Sequence, residues 1–141
     1  MKISAKIDYA CRALLELSVH WPKPEPLRIN TIAGHQKIPL KFLTLILLQL
    51  KQLGYVQSTR GQNGGYLLGK TPREITLKEV IQKFSEKAFS PSRADHRKHS
   101  GVLDAVWQEA EKMYLNFLEG KNFEDMAYSQ RSLVKVPMYT I

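Results

Sequence analysis

The residues best suited to chemistry form a short basic turn at positions 60–66, with the sequence Arg-Gly-Gln-Asn-Gly-Gly-Tyr. Glycine has no Cβ, so this backbone accepts positive φ angles and can come close to another surface. Arg60 and Asn63 place a cation and hydrogen-bond donors at its rim. Such a turn can enter a narrow, anionic groove. On turn chemistry alone, an ordinary β-hairpin is an equally good interpretation.

The same turn does not match a nucleotide-binding loop or a catalytic centre. No Gly-Lys-Ser/Thr follows it, and no helix is predicted directly after Gly65. The chain also lacks a nucleophile motif, a paired set of acids and a cofactor fingerprint, and its histidines are scattered at His20, His35, His96 and His99. An enzyme is therefore the weakest interpretation of this sequence.

The charge of the chain is concentrated around the glycine turn. The 141 residues include 21 Lys or Arg and 13 Asp or Glu, a net charge of +8. Residues 1–70 hold ten basic and three acidic side chains, whereas residues 71–141 hold eleven and ten. A concentrated positive field favours a polyanionic partner such as nucleic acid, although an acidic protein or a membrane surface also fits.

Cysteine content and hydropathy predict a cytoplasmic protein with no membrane partner. The single cysteine, Cys11, excludes an internal disulfide framework and any site built from several cysteines of one chain. No apolar run reaches the roughly 18 residues needed to cross a bilayer. Asp8 and Arg12 interrupt the N-terminal segment that would otherwise resemble a secretory signal.

The elements that precede the turn begin with an amphipathic helix. Apolar residues at three- and four-residue spacing predict this helix over residues 4–21. Three prolines in residues 22–26 then prevent its continuation. Residues 27–29 can form a short strand, and Asn30 is a plausible N-cap for a short helix through residue 36.

A second, strongly apolar helix follows and leads into the glycine turn. After a turn at residues 37–38, Pro39 opens a helix over about residues 40–53, and Gly54 ends it. Short strands at residues 55–58 and 66–68 flank the glycine turn, and the hairpin they form is called the wing below. The predicted fold class is mainly α with a small β-hairpin: a winged helix-turn-helix plus a long C-terminal dimerisation helix.

The C-terminal half is predicted to join two copies of the chain. Thr76 and Glu79 fit a capping box that starts a helix through about residue 84. A basic loop without periodicity spans residues 87–100. A helix over residues 101–118 would be about 25 Å long, and its apolar stripe is broader than one contact requires. We expect a second subunit to cover Leu103, Val106, Trp107, Ala110, Met113, Tyr114 and Phe117.

An alternative is that this long helix folds back wholly onto its own core.

Asn122 is predicted to cap a last helix that ends near Arg131, with a tail beyond it. The expected organisation is a winged-helix DNA-binding domain at residues 1–86, the basic loop at residues 87–100, and the dimerisation helix with the tail at residues 101–141.

In a helix-turn-helix the second helix enters the major groove by its first turn, which selects a set of candidate DNA contacts. Lysines there can bind phosphates without reading sequence, whereas Thr44 can touch a base edge or a thymine methyl. A wing arginine such as Arg60 suits the narrow, negative minor groove. The candidates are Pro39, Lys41 and Thr44 at the start of the helix with Lys37 before it, and Arg60, Gln62, Asn63, Gly64 and Tyr66 on the wing. A dimer would require a palindromic double-stranded operator, with half-sites about 34–36 Å apart or a multiple of that distance.

Several of these segments resemble the Rrf2 family of bacterial transcription regulators. The resemblance rests on residues 1–4, the helix start at residues 38–43 and above all residues 60–69, and it is close over residues 1–86. It implies a homodimeric winged-helix repressor or activator whose wing arginine and recognition-helix start contact DNA. The other hypothesis is a winged-helix adaptor that binds an acidic protein partner.

The resemblance breaks at the sensing site. Many members of the family sense iron–sulfur status, nitric oxide or redox state through three cysteines in the loop before the dimerisation helix, and that loop has none here. No cofactor is therefore expected, and an effector protein or small metabolite is the alternative signal. Asp8 with Cys11 and His96 with His99 are weak candidates for a metal or iron–sulfur site, because each pair is three residues apart. Cys11 also lies on the apolar stripe of its helix, where a cysteine usually behaves as a small hydrophobe.

Overall fold

The computed structural model describes residues 3–84 and 101–135, with side chains described as far as residue 133. It confirms the predicted fold class, since the described residues form helices and one two-stranded antiparallel hairpin. The elements are α1 (Ala5–His20), α2 (Ile29–Gln36), α3 (Leu40–Gln52), β1 (Val56–Thr59), β2 (Gly65–Leu68), a 3-10 turn (Pro72–Glu74), α4 (Leu77–Phe84), α5 (Val102–Glu119) and α6 (Phe123–Lys135). The basic loop at residues 87–100 lies outside the described residues.

Helix α1 is central to the core. It starts at a capped turn, where the Ser4 hydroxyl accepts a hydrogen bond from the Ile7 amide at 3.2 Å. Its apolar face, which includes Ala10, Leu14 and Leu17, is buried against α2, α3 and α6. This burial removes the face from water and fixes the angle of the helix-turn-helix on α1.

The helix-turn-helix consists of α2 and α3, and its turn is the predicted one. Lys37 takes the left-handed conformation (φ 54°, ψ 49°) that ends α2, and the amide of the buried Ile38 donates to the Ala33 carbonyl at 3.0 Å. The prediction that Asn30 caps α2 is wrong, because α2 already begins at Ile29 and Arg28 holds the cap position.

The strand predicted at residues 27–29 is reduced to one residue, because α2 already begins at Ile29. Leu27 forms an isolated β-bridge with Tyr66, in which the two residues exchange backbone hydrogen bonds of 2.9 and 2.8 Å. The chain then enters α2 two residues later, so no longer strand can form.

The wing follows α3 directly. Gly54 ends the helix with a positive φ of 85°, and Tyr55 donates its amide to the Leu50 carbonyl at 2.9 Å. Strands β1 and β2 pair from Val56 with Leu68 to Thr59 with Gly65. Strand β1 is shifted by one residue from its predicted bounds, and β2 begins one residue earlier than predicted.

The two predicted helix caps of the C-terminal half are confirmed. The Thr76 hydroxyl accepts from the Glu79 amide at 3.2 Å, and the Asn122 side chain accepts from the Asp125 amide at 2.8 Å. A bridge between Thr76 and Asn122 joins the two helix starts.

Helix α6 is longer than predicted and packs on the N-terminal helices. It extends to Lys135 rather than ending near Arg131. Phe123 and Ala127 are buried. The Arg131 guanidinium donates to the carbonyls of Ser18, Val19 and Trp21 at 2.8–3.2 Å, which satisfies carbonyl groups at the C-terminal end of α1.

The domain boundaries at residues 86 and 100 stay a prediction. Among the described residues, no helix is both long and apolar enough to cross a membrane.

Candidate nucleic-acid interface

The helix-turn-helix and the wing lie in one stretch of chain without acidic residues. Residues 26–73, called the acid-free segment below, contain no Asp or Glu and seven basic side chains: Arg28, Lys37, Lys41, Lys51, Arg60, Lys70 and Arg73. All of these except Lys70 are exposed. Lys70 and Arg73 pair with acids on other helices, Glu79 and Glu124. Lys37, Lys41 and Arg60 form no ion pair with any described residue, so their charge is available to an anionic partner.

The four helix candidates meet at the start of α3. Lys37, Pro39, Lys41 and Thr44 are all exposed there, on the side away from the buried Leu43 and Leu47. The Thr44 hydroxyl donates to the Leu40 carbonyl at 2.9 Å, one turn earlier in the helix. The bond uses the hydroxyl proton and leaves its oxygen as an acceptor.

The wing turn needs its glycines for two different reasons. Only Gly61 takes a positive φ, at 106°. Gly64 and Gly65 are required by close backbone approach instead, since a Cβ would lie 2.3 Å from the Thr59 carbonyl oxygen at Gly64 and 2.3 Å from the Leu27 carbonyl oxygen at Gly65. The turn therefore lies tightly against β1 and the segment before α2, which holds the tip in one place.

The remaining wing candidates divide by exposure. Arg60, Gln62 and Asn63 are exposed at the tip, whereas Gly64 and Tyr66 are half-buried. Tyr66 has both backbone hydrogen-bonding groups committed to Leu27. Arginine, glutamine and asparagine side chains at the tip supply donors to a ligand, while the half-buried pair shapes the wing.

Arg28 is a residue of this surface that the sequence reasoning missed. It lies at the start of α2, and its guanidinium donates to the backbone carbonyl of Gln62 at the wing tip. Arg28, Asn30 and Arg60 line the same cleft between α2 and the wing. The partners are 34 residues apart in sequence, so local pattern gave no signal for this contact beyond the positive charge of Arg28.

The predicted dimerisation residues lie on a helix whose first half is entirely exposed. Every residue from 101 to 110 is exposed, including Trp107 at 62% of its full area, and so are Met113 and Phe117. Helix α5 therefore does not fold back wholly onto its own core. Tyr114 differs from the other six candidates, because it is half-buried against Ile7, Ile81 and Leu118 of its own chain.

The metal candidates on α1 do not fit an iron site. The Asp8 carboxylate is paired with Arg12 at 2.9 Å. Burial raises the pKa of the Cys11 thiol to about 12, with the charge of Asp8 as a second cause. A protonated thiol among apolar neighbours is a poor metal ligand. Within residues 3–84 and 101–135, no group of three or more His, Cys, Asp or Glu side chains could hold a metal ion. His96 and His99 lie outside the described residues.

Comparisons with known proteins agree with this geometry. The Rrf2 family model, described as an iron-dependent transcriptional regulator, matches residues 3–129. An rrf2-like helix-turn-helix transcriptional regulator of Rhodobacter capsulatus is 33% identical over 136 residues, which cover 88% of this chain and 91% of that protein.

Two solved structures share the fold over nearly their full length. IscR of T. potens superposes with a TM-score of 0.81 at 24% identity, covering 99% of this chain and 95% of that one. CymR, the global cysteine regulator of B. subtilis, superposes with a TM-score of 0.80 at 26% identity, covering 92% and 98%.

The fold and its exposed basic surface define a DNA-binding protein of the winged helix-turn-helix class. The chain belongs to the Rrf2 family of bacterial transcriptional regulators. The members it matches are named as transcriptional regulators rather than enzymes, which confirms the prediction that this chain is not an enzyme.

Proposed function

We propose that the chain is a homodimeric, sequence-specific DNA-binding transcription regulator that acts as a repressor in the bacterial cytoplasm. The observation that carries this proposal is the acid-free segment, which makes up the helix-turn-helix and the wing. Its cations Lys37, Lys41 and Arg60 are exposed and without ionic partners among the described residues. Neutralisation of DNA phosphates by such side chains releases counterions and supplies much of the binding free energy.

Helix α3 is the proposed recognition helix in the major groove. Its N-terminal end exposes Pro39, Lys41 and Thr44 together, with Lys37 two residues before Pro39. Lys37 and Lys41 would bind phosphates on either side of the groove and set the register. Thr44 would face the bases through its hydroxyl oxygen or its methyl group.

The wing tip is proposed to enter the neighbouring minor groove with Arg60. A guanidinium is attracted to the negative potential of a narrow minor groove and reads its shape. Gln62 and Asn63 would add donors to the sugar–phosphate backbone. Gly64 and Tyr66 would act by shaping the wing, because both are half-buried.

Dimerisation is proposed to occur through the exposed apolar side of α5. Large side chains such as Val102, Leu103, Trp107, Met113 and Phe117 expose about half or more of their area on this helix. An apolar patch of this extent usually marks an interface. Two copies related by a two-fold axis would require a palindromic operator whose half-sites are about 34–36 Å apart or a multiple of that distance.

The signal is proposed to be an effector protein or a small metabolite rather than a three-thiolate iron–sulfur cluster. The chain has one cysteine, and Cys11 is half-buried among apolar side chains. CymR, which shares the fold, is the global cysteine regulator of B. subtilis. The segment at residues 87–100 is the proposed place of control.

A matched pair of arginine variants tests the DNA-binding role. We expect Arg60→Ala to weaken binding to an operator selected from random DNA by about five- to 150-fold, since one specific contact contributes on the order of 1–3 kcal/mol. Arg73→Ala removes the same charge outside the wing, from a side chain paired with Glu124, and should change affinity less than threefold. Fluorescence anisotropy measures both. Equal losses of affinity in the two variants would mean that Arg60 contributes only a general positive charge and no specific contact from the wing.

A further inference from the structure

Helix α3 exposes leucines where a surface helix normally presents polar residues. Leu45 and Leu48 are 59% and 52% exposed, opposite the buried Ile46, Leu47 and Leu50. Leu45 lies one turn along from Lys41 and Leu48 lies two turns along, on the same outward side of the helix, since residues three and four apart share a face. Neighbouring exposed leucines on one side of a helix form an apolar patch, which indicates a contact surface for another molecule.

Phe42 is a different case. It is also exposed, but its ring lies 6.4 Å from the ring of Tyr9 on α1. This contact gives Phe42 an intramolecular partner on the flank of α3. Leu45 and Leu48 have no such aromatic contact and remain the apolar groups at the centre of the outward face.

The outward face has few groups that could read base edges by hydrogen bonding. Residues 40–48 contain no Arg, Asn, Gln, Asp or Glu, so Lys41 and Thr44 are the side chains of this stretch that can form hydrogen bonds with bases. The Thr44 hydroxyl proton is committed to the Leu40 carbonyl. Lys41 is the single charged side chain of this stretch. Beyond Lys41 and Thr44, this part of the helix can therefore discriminate between bases only by apolar contact.

Charge decides between the possible occupants of this face. The face is surrounded by the acid-free segment, with its seven basic residues and no acid. A second copy would bring the same positive charge against it, and an uncharged apolar partner would have to desolvate Lys37 and Lys41. Duplex DNA offers both complements at once, phosphates for the lysines and thymine methyl groups for the leucines.

We propose that Leu45 and Leu48 read the C5-methyl groups of thymines in the major groove of the operator half-site. This inference rests on the proposed function and deepens it. The two side chains are separated by a rise of roughly 4.5 Å along the helix, and base pairs are stacked about 3.4 Å apart. The leucines therefore contact methyl groups on the same or adjacent base-pair steps, which specifies thymine-rich positions inside the half-site.

A uracil scan of the selected operator tests the inference without any protein variant. Each thymine of one half-site is replaced in turn by deoxyuridine, which removes the methyl group and leaves the hydrogen-bonding edges unchanged. We expect one or two positions to lose about fourfold in affinity, the value for burying one methyl-sized group. The same replacement outside the half-site should have no effect.

Protein variants then identify the side chains that contact those methyl groups. In Leu45→Ala or Leu48→Ala the uracil penalty should disappear at the corresponding position, because a double-mutant cycle isolates the pairwise contact. Leu133→Ala is the matched control, since Leu133 is 68% exposed on α6, and its uracil penalties should equal those of the wild type. Thermal melting verifies that each variant is folded.

Three results would overturn the inference. If uracil replacement leaves the wild-type affinity unchanged at every thymine, the protein does not contact the thymine methyl groups. A methyl penalty that persists in both leucine variants while their DNA affinity falls would assign the contact to another side chain such as Thr44. Leucine variants with unchanged DNA affinity and unchanged uracil penalties would assign the face to a protein partner. Failure of the wild type to bind any selected duplex would instead refute the proposed function itself.

Discussion

Replacement of Gly65 by alanine is predicted to detach the wing from the helix-turn-helix. The new Cβ would lie 2.3 Å from the Leu27 carbonyl oxygen and 2.7 Å from its carbonyl carbon. Both are backbone atoms that no rotamer change can move away. The clash therefore breaks the bridge between Leu27 and Tyr66, whose two hydrogen bonds are 2.9 and 2.8 Å long.

The size of the effect follows from these bonds. Two backbone hydrogen bonds at about 1 kcal/mol each give a loss of about 2 kcal/mol. For a chain of 141 residues, this loss lowers the melting temperature by about 6 °C. Operator affinity should fall as well, because the wing tip is no longer held. Circular dichroism melting measures the loss of stability. Hydrogen exchange at the Leu27 and Tyr66 amides measures the loss of the two hydrogen bonds.

Gly34→Ala is the internal control for this prediction. Gly34 lies in α2, and a Cβ there would meet no atom within 4 Å. Alanine should stabilise the helix by about 0.5–1 kcal/mol, so the same chemical change has the opposite sign at the two glycines. A Gly65→Ala protein that melts with the wild type and keeps both amides protected would refute the role of close approach in positioning the wing.

Three other variants test other parts of the structure. Arg28→Ala should weaken operator binding and abolish most of the further loss caused by Arg60→Ala, as anisotropy in a double-mutant cycle would measure; strictly additive losses would contradict a role in holding the tip. Trp107→Glu should convert the dimer to single chains in sedimentation velocity without loss of helical signal, and a dimer of unchanged stability would move the interface elsewhere. The unfolded Cys11 thiol ionises near pH 9.0 while burial keeps the folded one protonated to a pKa of about 12. The unfolded state then binds fewer protons, so stability falls as pH rises through this window. Urea unfolding should show a shallower fall for Cys11→Ala, and equal pH slopes would indicate an accessible thiol.

Local sequence chemistry predicted most of the secondary structure because its signals act over a few residues. The caps at Thr76 and Asn122 and the helix-ending Gly54 all appear as predicted. The turn at Lys37 also appears, since the buried Ile38 after it fixes the chain direction. These features need only spacing and intrinsic backbone preference.

The structural features that the sequence could not predict depend on contacts between distant segments of the chain. The reach of Arg28 to the wing tip and the approach of Gly65 to Leu27 exist only after the chain has folded. The exposure of Leu45 and Leu48 was also hidden, because α3 is apolar on nearly every side and periodicity cannot separate its buried face from its outward one.

A salt titration of DNA binding tests the central claim most directly, namely that the acid-free segment grips duplex DNA through phosphate contacts. The wild-type protein is titrated against the selected operator by fluorescence anisotropy between 50 and 200 mM salt. If a dimer neutralises six to ten phosphates, affinity should fall by about 10³- to 10⁵-fold over this range. Binding that does not change with salt, or no binding at 50 mM, would contradict the account.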